Sequence, residues 1–147
     1  MTKKLIIIFF ILLINCSSPE IDYYKPIEIN FTGNDLVFFN LLNDYRLEHG
    51  LQKFKGERKI TELSKEHAIY MFVKDSINHD YFWIRYQESG AKDFGEIVAY
   101  NFLTPASQLS SYQSSPPHNT ILLNTDFKYI GIAQEGMYQC VEFAKYN

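Results

Sequence analysis

The stretch Lys128-Tyr129-Ile130-Gly131-Ile132-Ala133-Gln134, then Glu135-Gly136, then Met137-Tyr138-Gln139-Cys140-Val141-Glu142-Phe143-Ala144-Lys145-Tyr146 carries the clearest strand signal in the chain. Apolar residues alternate on both sides of Glu135-Gly136, and a glycine-containing pair between two such runs predicts an antiparallel hairpin. Upstream, Phe94 to Phe102 reads as a further strand. A small sheet needs helices to cover it, and the preceding residues supply them. One helix is expected from Asn34, read as its N-cap, to Gly50, with Phe38, Leu41, Leu42 and Tyr45 at helical spacing. A second is expected from Thr61, read as its cap, to Lys74, with an apolar face of Leu63, Ala68, Tyr70, Met71 and Phe72. His67 lies within it and reads as a partly exposed helical histidine. Trp83 to Ser89 and Pro105 to Gln113 read as shorter helices. Helices followed by a small antiparallel sheet make the fold class α+β.

Between the last short helix and the hairpin lies Ser115-Pro116-Pro117-His118-Asn119-Thr120-Ile121-Leu122. Each proline has a fixed φ and pushes the residue before it towards extended geometry. A helix is therefore expected to start at His118, holding the imidazole on a stiff entrance. His79 follows a loop or helix boundary, and Glu96 stands at the start of the Phe94 strand. Two imidazoles and a carboxylate could bind a divalent metal with one position left for water, or transfer protons without one. Their separations match no compact ligand motif, so spacing does not bring the three together.

The chain has 147 residues, enough for one domain, and its 21% charged and 46% hydrophobic residues suit a folded protein. With 12 Phe and 11 Tyr the core is expected to be rich in rings. A net charge of −3 with no basic cluster beyond the N-terminus argues against a nucleic-acid partner. At the N-terminus Lys3-Lys4 precede an apolar run from Leu5 to Ile14, too short for the ~20 residues of a spanning helix. This pattern is that of a secretory signal. The sequence Leu13-Ile14-Asn15-Cys16 resembles a bacterial lipobox, with Asn15 departing from the usual small residue. Residues 1–15 are thus expected to be a lipoprotein signal peptide, and 16–32 a lipidated N-terminus and tether. Residues 33–147 would then form the domain. Acyl chains such as palmitate on Cys16 would hold the protein on the membrane. Its expected location is the bacterial cell envelope, outside the cytoplasm. Cys140, the other cysteine, reads as a buried small hydrophobe.

From Asn40 to Phe143 the chain resembles a bacterial, SCP-like member of the CAP superfamily of cysteine-rich secretory, antigen-5 and pathogenesis-related proteins. The matching pieces run in order: Asn43-Asp44-Tyr45-Arg46 with Gly50-Leu51; Thr61-Glu62-Leu63 with His67 and Met71; His79; Arg85 and Gly90; Gly95-Glu96-Ile97-Val98-Ala99; Ser115 to Leu122; and Ile130-Gly131-Ile132-Ala133. The resemblance implies a three-layer α-β-α sandwich around a three-stranded antiparallel sheet. It also implies one cleft holding His79, Glu96 and His118, with Ser115 where many eukaryotic relatives carry a second glutamate. Ile97, Asn119 and Tyr112 stand in place of the family's asparagine, arginine and tryptophan. The change at Ile97 implies a less polar or less ordered cleft.

Three functions are compatible with these residues. The first is a surface-anchored binding module whose cleft takes a small apolar molecule, lipid, peptide or glycan. The second is a hydrolase with His79 or His118 as general base, Glu96 as orienter or acid, and Zn²⁺ on His79 and His118 activating water; Ser115 as nucleophile lacks an evident triad carboxylate. The third is a structural protein whose cleft residues hold loops together. The binding module is the favoured reading, because a fold alone does not determine chemistry.

Overall fold

The computed structural model describes residues 24–101 and 104–147. The elements in order are β1 (Glu28–Ile29), α1 (Gly33–Glu48), β2 (Lys55–Glu57), α2 (Arg58–Lys74), α3 (Phe82–Ser89), β3 (Asp93–Tyr100), α4 (Pro105–Ser114), α5 (Pro116–Leu122), β4 (Tyr129–Glu135) and β5 (Tyr138–Lys145). The expected signal peptide and Cys16 lie outside the described residues.

The terminal hairpin forms, with its turn one residue later than expected. Glu135 pairs with Tyr138, so Gly136-Met137 is the two-residue connection. Gly136 has φ +56 at the first central position, the requirement of a type II′ turn. The sheet order is β1-β2-β4-β5-β3. Its expected antiparallel part is the run β4-β5-β3, and two short strands extend it. β2 joins β4 in parallel, and β1 joins β2 antiparallel. Glu28–Ile29 was expected to be tether and is instead an edge strand, followed by the buried Phe31. A two-residue strand is too short to show any periodicity.

Helices cover both faces, giving the α-β-α sandwich. On one face Phe38 and Leu42 of α1, Leu109 and Tyr112 of α4, and Leu122 of α5 pack on Ile97, Ile130, Ile132, Val141 and Phe143. On the other, Ala68 and Met71 of α2 meet Val98 and Cys140, while Phe82 and Tyr86 of α3 meet Phe94 and Ala144. Gly131 is the point of closest approach: a Cβ there would lie 2.4 Å from the Ile60 backbone. The missing side chain lets the first turn of α2 lie directly on β4.

Several local expectations shift. Thr32, not Asn34, caps α1. α2 starts three residues before Thr61, because the Glu57 carboxylate accepts from Ile60 N–H at 2.8 Å and takes the capping role. Thr61 donates instead to the Glu57 carbonyl at 2.6 Å. Phe72 is 50% exposed and outside the core. α5 begins at Pro116 and not at His118, since the first turn of a helix needs no N–H from its prolines. Among the described residues no helix is long and apolar enough to cross a membrane.

Candidate functional site

Four elements converge on Glu96. β3 and β5 are paired so that Glu96 stands opposite Glu142. Like charges in that position repel, and both residues are buried under α2 and α3. Arg85, projecting from α3, resolves the conflict. Its Nε donates to Glu142 Oε1 at 2.8 Å and its Nη2 donates to Glu96 Oε2. Nη1 is anchored on the Asp80 carbonyl at 2.6 Å. Ser64 of α2 donates to Glu142 Oε2 at 3.2 Å.

His79 comes from the loop between α2 and α3, whose ends, Asp75 and Tyr81, both have left-handed backbones. Its Nδ1 lies 2.6 Å from Glu96 Oε1. A carboxylate only accepts, so Nδ1 carries the proton. The hydrogen bond to Glu96 raises the His79 pKa above its ordinary value. Burial works to raise Glu96, but the His79 hydrogen bond and the Arg85 charge prevail and hold it below the usual range. For Glu142 burial prevails, aided by Glu96, and its pKa is pushed up to about 8. Burial thus favours the protonated form of Glu142, while His79 and Arg85 favour the ionised form of Glu96, with Arg85 between the two.

His67 corrects the sequence reading. It is buried, 2% exposed, and donates from Nε2 to the Asn78 carbonyl at 2.8 Å, with Glu96 Oε2 4.0 Å away. Burial lowers its pKa, so it sits neutral. It also ties α2 to the loop that carries His79. Cys140 is buried as expected, 3.5 Å from Glu96 Oε2, and burial raises its thiol pKa far above the ordinary value.

His118 sits on α5, half-buried, edge-on to Tyr112 with ring centroids 5.4 Å apart. Burial lowers its pKa, and a charge on nearby His79 lowers it further. Ser115 is half-buried, and its side chain makes no capping bond to α5. The structure therefore joins His79 to Glu96 directly, sets His118 near His79, and leaves Ser115 without a bonded role. Ile97 lies on the opposite, apolar face of the sheet, so its departure from asparagine does not alter the cleft. Asn119 accepts from the Tyr45 hydroxyl at 2.9 Å and links α5 to α1.

As metal ligands these residues do not form a common set. Among the described residues, the group whose donor atoms lie within 4.8 Å of one another is Glu96, Cys140 and Glu142. That position already holds a cation, the Arg85 guanidinium. Both Glu96 oxygens are engaged by Arg85 and His79, so Glu96 does not fit as a further ligand beside the expected pair His79 and His118. Sequence reasoning noted Arg85 only as a matching position and missed Glu142. The available signal was a carboxylate between Val141 and Phe143, inside the run Cys140 to Ala144 that is otherwise apolar.

Beside this cluster runs an open groove of about 930 Å³. Its floor is Phe94, Gly95 and Glu96. One wall is Phe82, Trp83 and Ile84, the other Ile121 and Phe127, with His79 at one end. Trp83 is 71% exposed and is the only tryptophan in the chain. Among the described residues no serine, threonine or cysteine lines the groove.

The model of the cysteine-rich secretory protein family matches residues 39–141. The uncharacterized membrane protein YlbC of Bacillus subtilis (strain 168) is 26% identical over 121 residues, covering 78% of this chain and 35% of that protein. The chain thus spans about a third of that relative. Among solved structures, an outer surface protein of Borrelia burgdorferi superposes with TM-score 0.71 at 20% identity, covering 84% of this chain and all of the other. An extracellular SCP-domain protein of Bacillus anthracis str. Ames superposes with TM-score 0.69 at 21% identity, covering 74% of this chain and 39% of the other. These structural likenesses show the fold, and the family match shows the lineage. The chain belongs to the cysteine-rich secretory protein family, CAP.

Proposed function

We propose that this chain is an envelope-anchored, extracytoplasmic binding module that holds a small amphipathic molecule, lipid or peptide in the groove beside His79, Glu96 and His118. The groove carries the reading: it is large, walled by apolar side chains and bordered by a fixed polar pair, the usual composition of a ligand site. The relatives' names, extracellular, outer surface and membrane protein, support an envelope location. Hydrolysis finds less support. Among the described residues no serine or thiol nucleophile lines the groove, and Glu96 is committed to Arg85 and His79. Glu96 acts as a positioning residue that fixes the tautomer of His79.

Trp83 emission reports directly on the groove. Titration with soluble aromatic amines and short apolar peptides should shift it saturably, and Ile84→Asp should weaken that response; no saturable shift with any of them sinks the proposal. Anchoring through acyl chains on Cys16 is tested by fractionation. Cys16→Ser should move the protein out of the membrane fraction, and unchanged membrane association would exclude lipidation as the anchor.

A further inference from the structure

β3 is an outer strand: β5 lies on one side, and no strand lies on the other among the described residues. The register tells which groups face the open side. Asn101 N–H donates to the Met137 carbonyl at 2.9 Å, continuing the register that pairs Tyr100 with Tyr138. Bonded and non-bonded pairs alternate along an antiparallel ladder. Asp93, Gly95, Ile97 and Ala99 therefore bond to β5, while Phe94, Glu96, Val98 and Tyr100 turn their N–H and C=O groups outward. The Phe94 amide agrees: it donates at 3.0 Å to Asp93 Oδ1, a side-chain carboxylate standing where a neighbouring strand would offer its carbonyl.

Phe94 and Glu96 are also the floor of the groove. Its walls belong to the two helical layers, α3 on one side and the end of α5 with Phe127 on the other. Gly95 lets the Phe127 ring close on the strand, since a Cβ there would meet it at 3.0 Å. An extended chain laid along this edge would send alternate side chains to opposite walls. Asp80 and Asp93 stand on the rim, and among the described residues no lysine or arginine lines the groove.

We propose that the groove binds an extended peptide, apolar at its centre and basic at its flanks, as an added strand on β3. This rests on the groove being a binding site and narrows its ligand to one class. One peptide carbonyl replaces Asp93 Oδ1 on the Phe94 amide. Apolar side chains fill the two walls, and the flanking cations meet Asp80 and Asp93. Backbone pairing supplies the affinity and the walls supply the selectivity. Asp93 to Glu96 is about 13 Å of strand, room for some four peptide residues. The chain's own residues 17–23 carry Glu20 and Asp22 and no cation, the wrong charge for this rim.

The test uses the full chain in detergent micelles and a capped Lys-Phe-Val-Phe-Lys peptide. It is compared with two analogues N-methylated on alternate amides, a Glu-flanked version, and phenethylammonium, which has a ring and a cation but no backbone. The parent peptide should shift Trp83 emission and slow amide exchange at Phe94 and Glu96 by about tenfold or more. One methylated analogue should do neither, and the Glu-flanked version should bind about tenfold more weakly. If both methylated analogues bind like the parent, or if the Glu-flanked version binds as well, the proposal is overturned. If phenethylammonium matches the peptide and exchange at Phe94 is unchanged, the groove is a small-molecule site; the binding module stands and the added strand falls. If no compound shifts Trp83, both fall.

Discussion

Towards α1, α4 and α5 the strands β3, β4 and β5 contribute Ile97, Ala99, Ile130, Ile132, Val141 and Phe143, with Gln139 a buried polar side chain among them, accepting from the Tyr112 hydroxyl at 2.8 Å. Towards α2 and α3 the same strands contribute Glu96 and Glu142 side by side, joined by Arg85. The first face is stabilised by apolar packing in one cluster, which needs no charged partner. The second is conditional, because each charge is tolerated only while its partners are present. A buried ionic cluster is weak evidence for stability but strong evidence of a fixed arrangement, and what it fixes is His79 at the end of the groove.

The largest test of this contrast is Arg85→Met. It leaves the buried Glu96 carboxylate without its cation and should destabilise by about 3–5 kcal/mol in urea denaturation. Phe143→Ala should lose a similar amount, about 3–5 kcal/mol, through a cavity. The two differ in their coupling. Adding Glu96→Gln, which removes the stranded charge, should recover part of the Arg85→Met loss and none of the Phe143→Ala loss. An Arg85→Met loss below about 1 kcal/mol, within the range of a surface pair, would erase the distinction between the faces.

A smaller effect should appear with pH. Folding raises the Glu142 pKa to about 8, so the folded chain holds a proton that the unfolded chain releases near its ordinary value of about 4.3. The associated stability is complete below that value and is lost as pH rises through about 8. His79, also raised, adds loss in the same direction above its ordinary value of about 6.5. Glu96, lowered, works oppositely and loses its contribution at acid pH. His67 and His118, both lowered, also work oppositely, but only below their ordinary value of about 6.5. Melting temperature should therefore fall between neutral and mildly alkaline pH. Glu142→Gln should flatten that slope; an unchanged slope in the variant would show that Glu142 is not the group titrating.

The smallest effect is expected from His79→Ala. Its side chain is 57% exposed, so solvent screens the pair and the loss should stay under about 1 kcal/mol by denaturation. A loss several times larger would move His79 from the groove's furniture into the structural cluster.

The apolar face was largely legible from sequence, and the ionic face was not. Phe38 and Leu42 announce a core by their spacing, and the β4–β5 alternation announces a hairpin. These are periodic signals, repeated over several residues. Glu142, Arg85 and Ser64 belong to three elements, β5, α3 and α2, and meet only where the two helices pack on the sheet. No local pattern encodes such a meeting. His67 was misread for the same reason, since its burial depends on the distant Asn78 carbonyl. His79 and Glu96 were brought together by family resemblance, and the 2.6 Å hydrogen bond shows the contact that spacing could not.

The strand order has a consequence for how the chain comes together in time. β4 and β5, the last elements in sequence, occupy the middle of the sheet, with β2 and β3 waiting on either side of them. A nascent chain has no sheet to complete until its final twenty residues are available. The local type II′ hairpin can close within microseconds. The parallel β2–β4 contact must instead close a loop of more than seventy residues. Truncation at the C-terminus therefore removes the centre of the fold, not its edge.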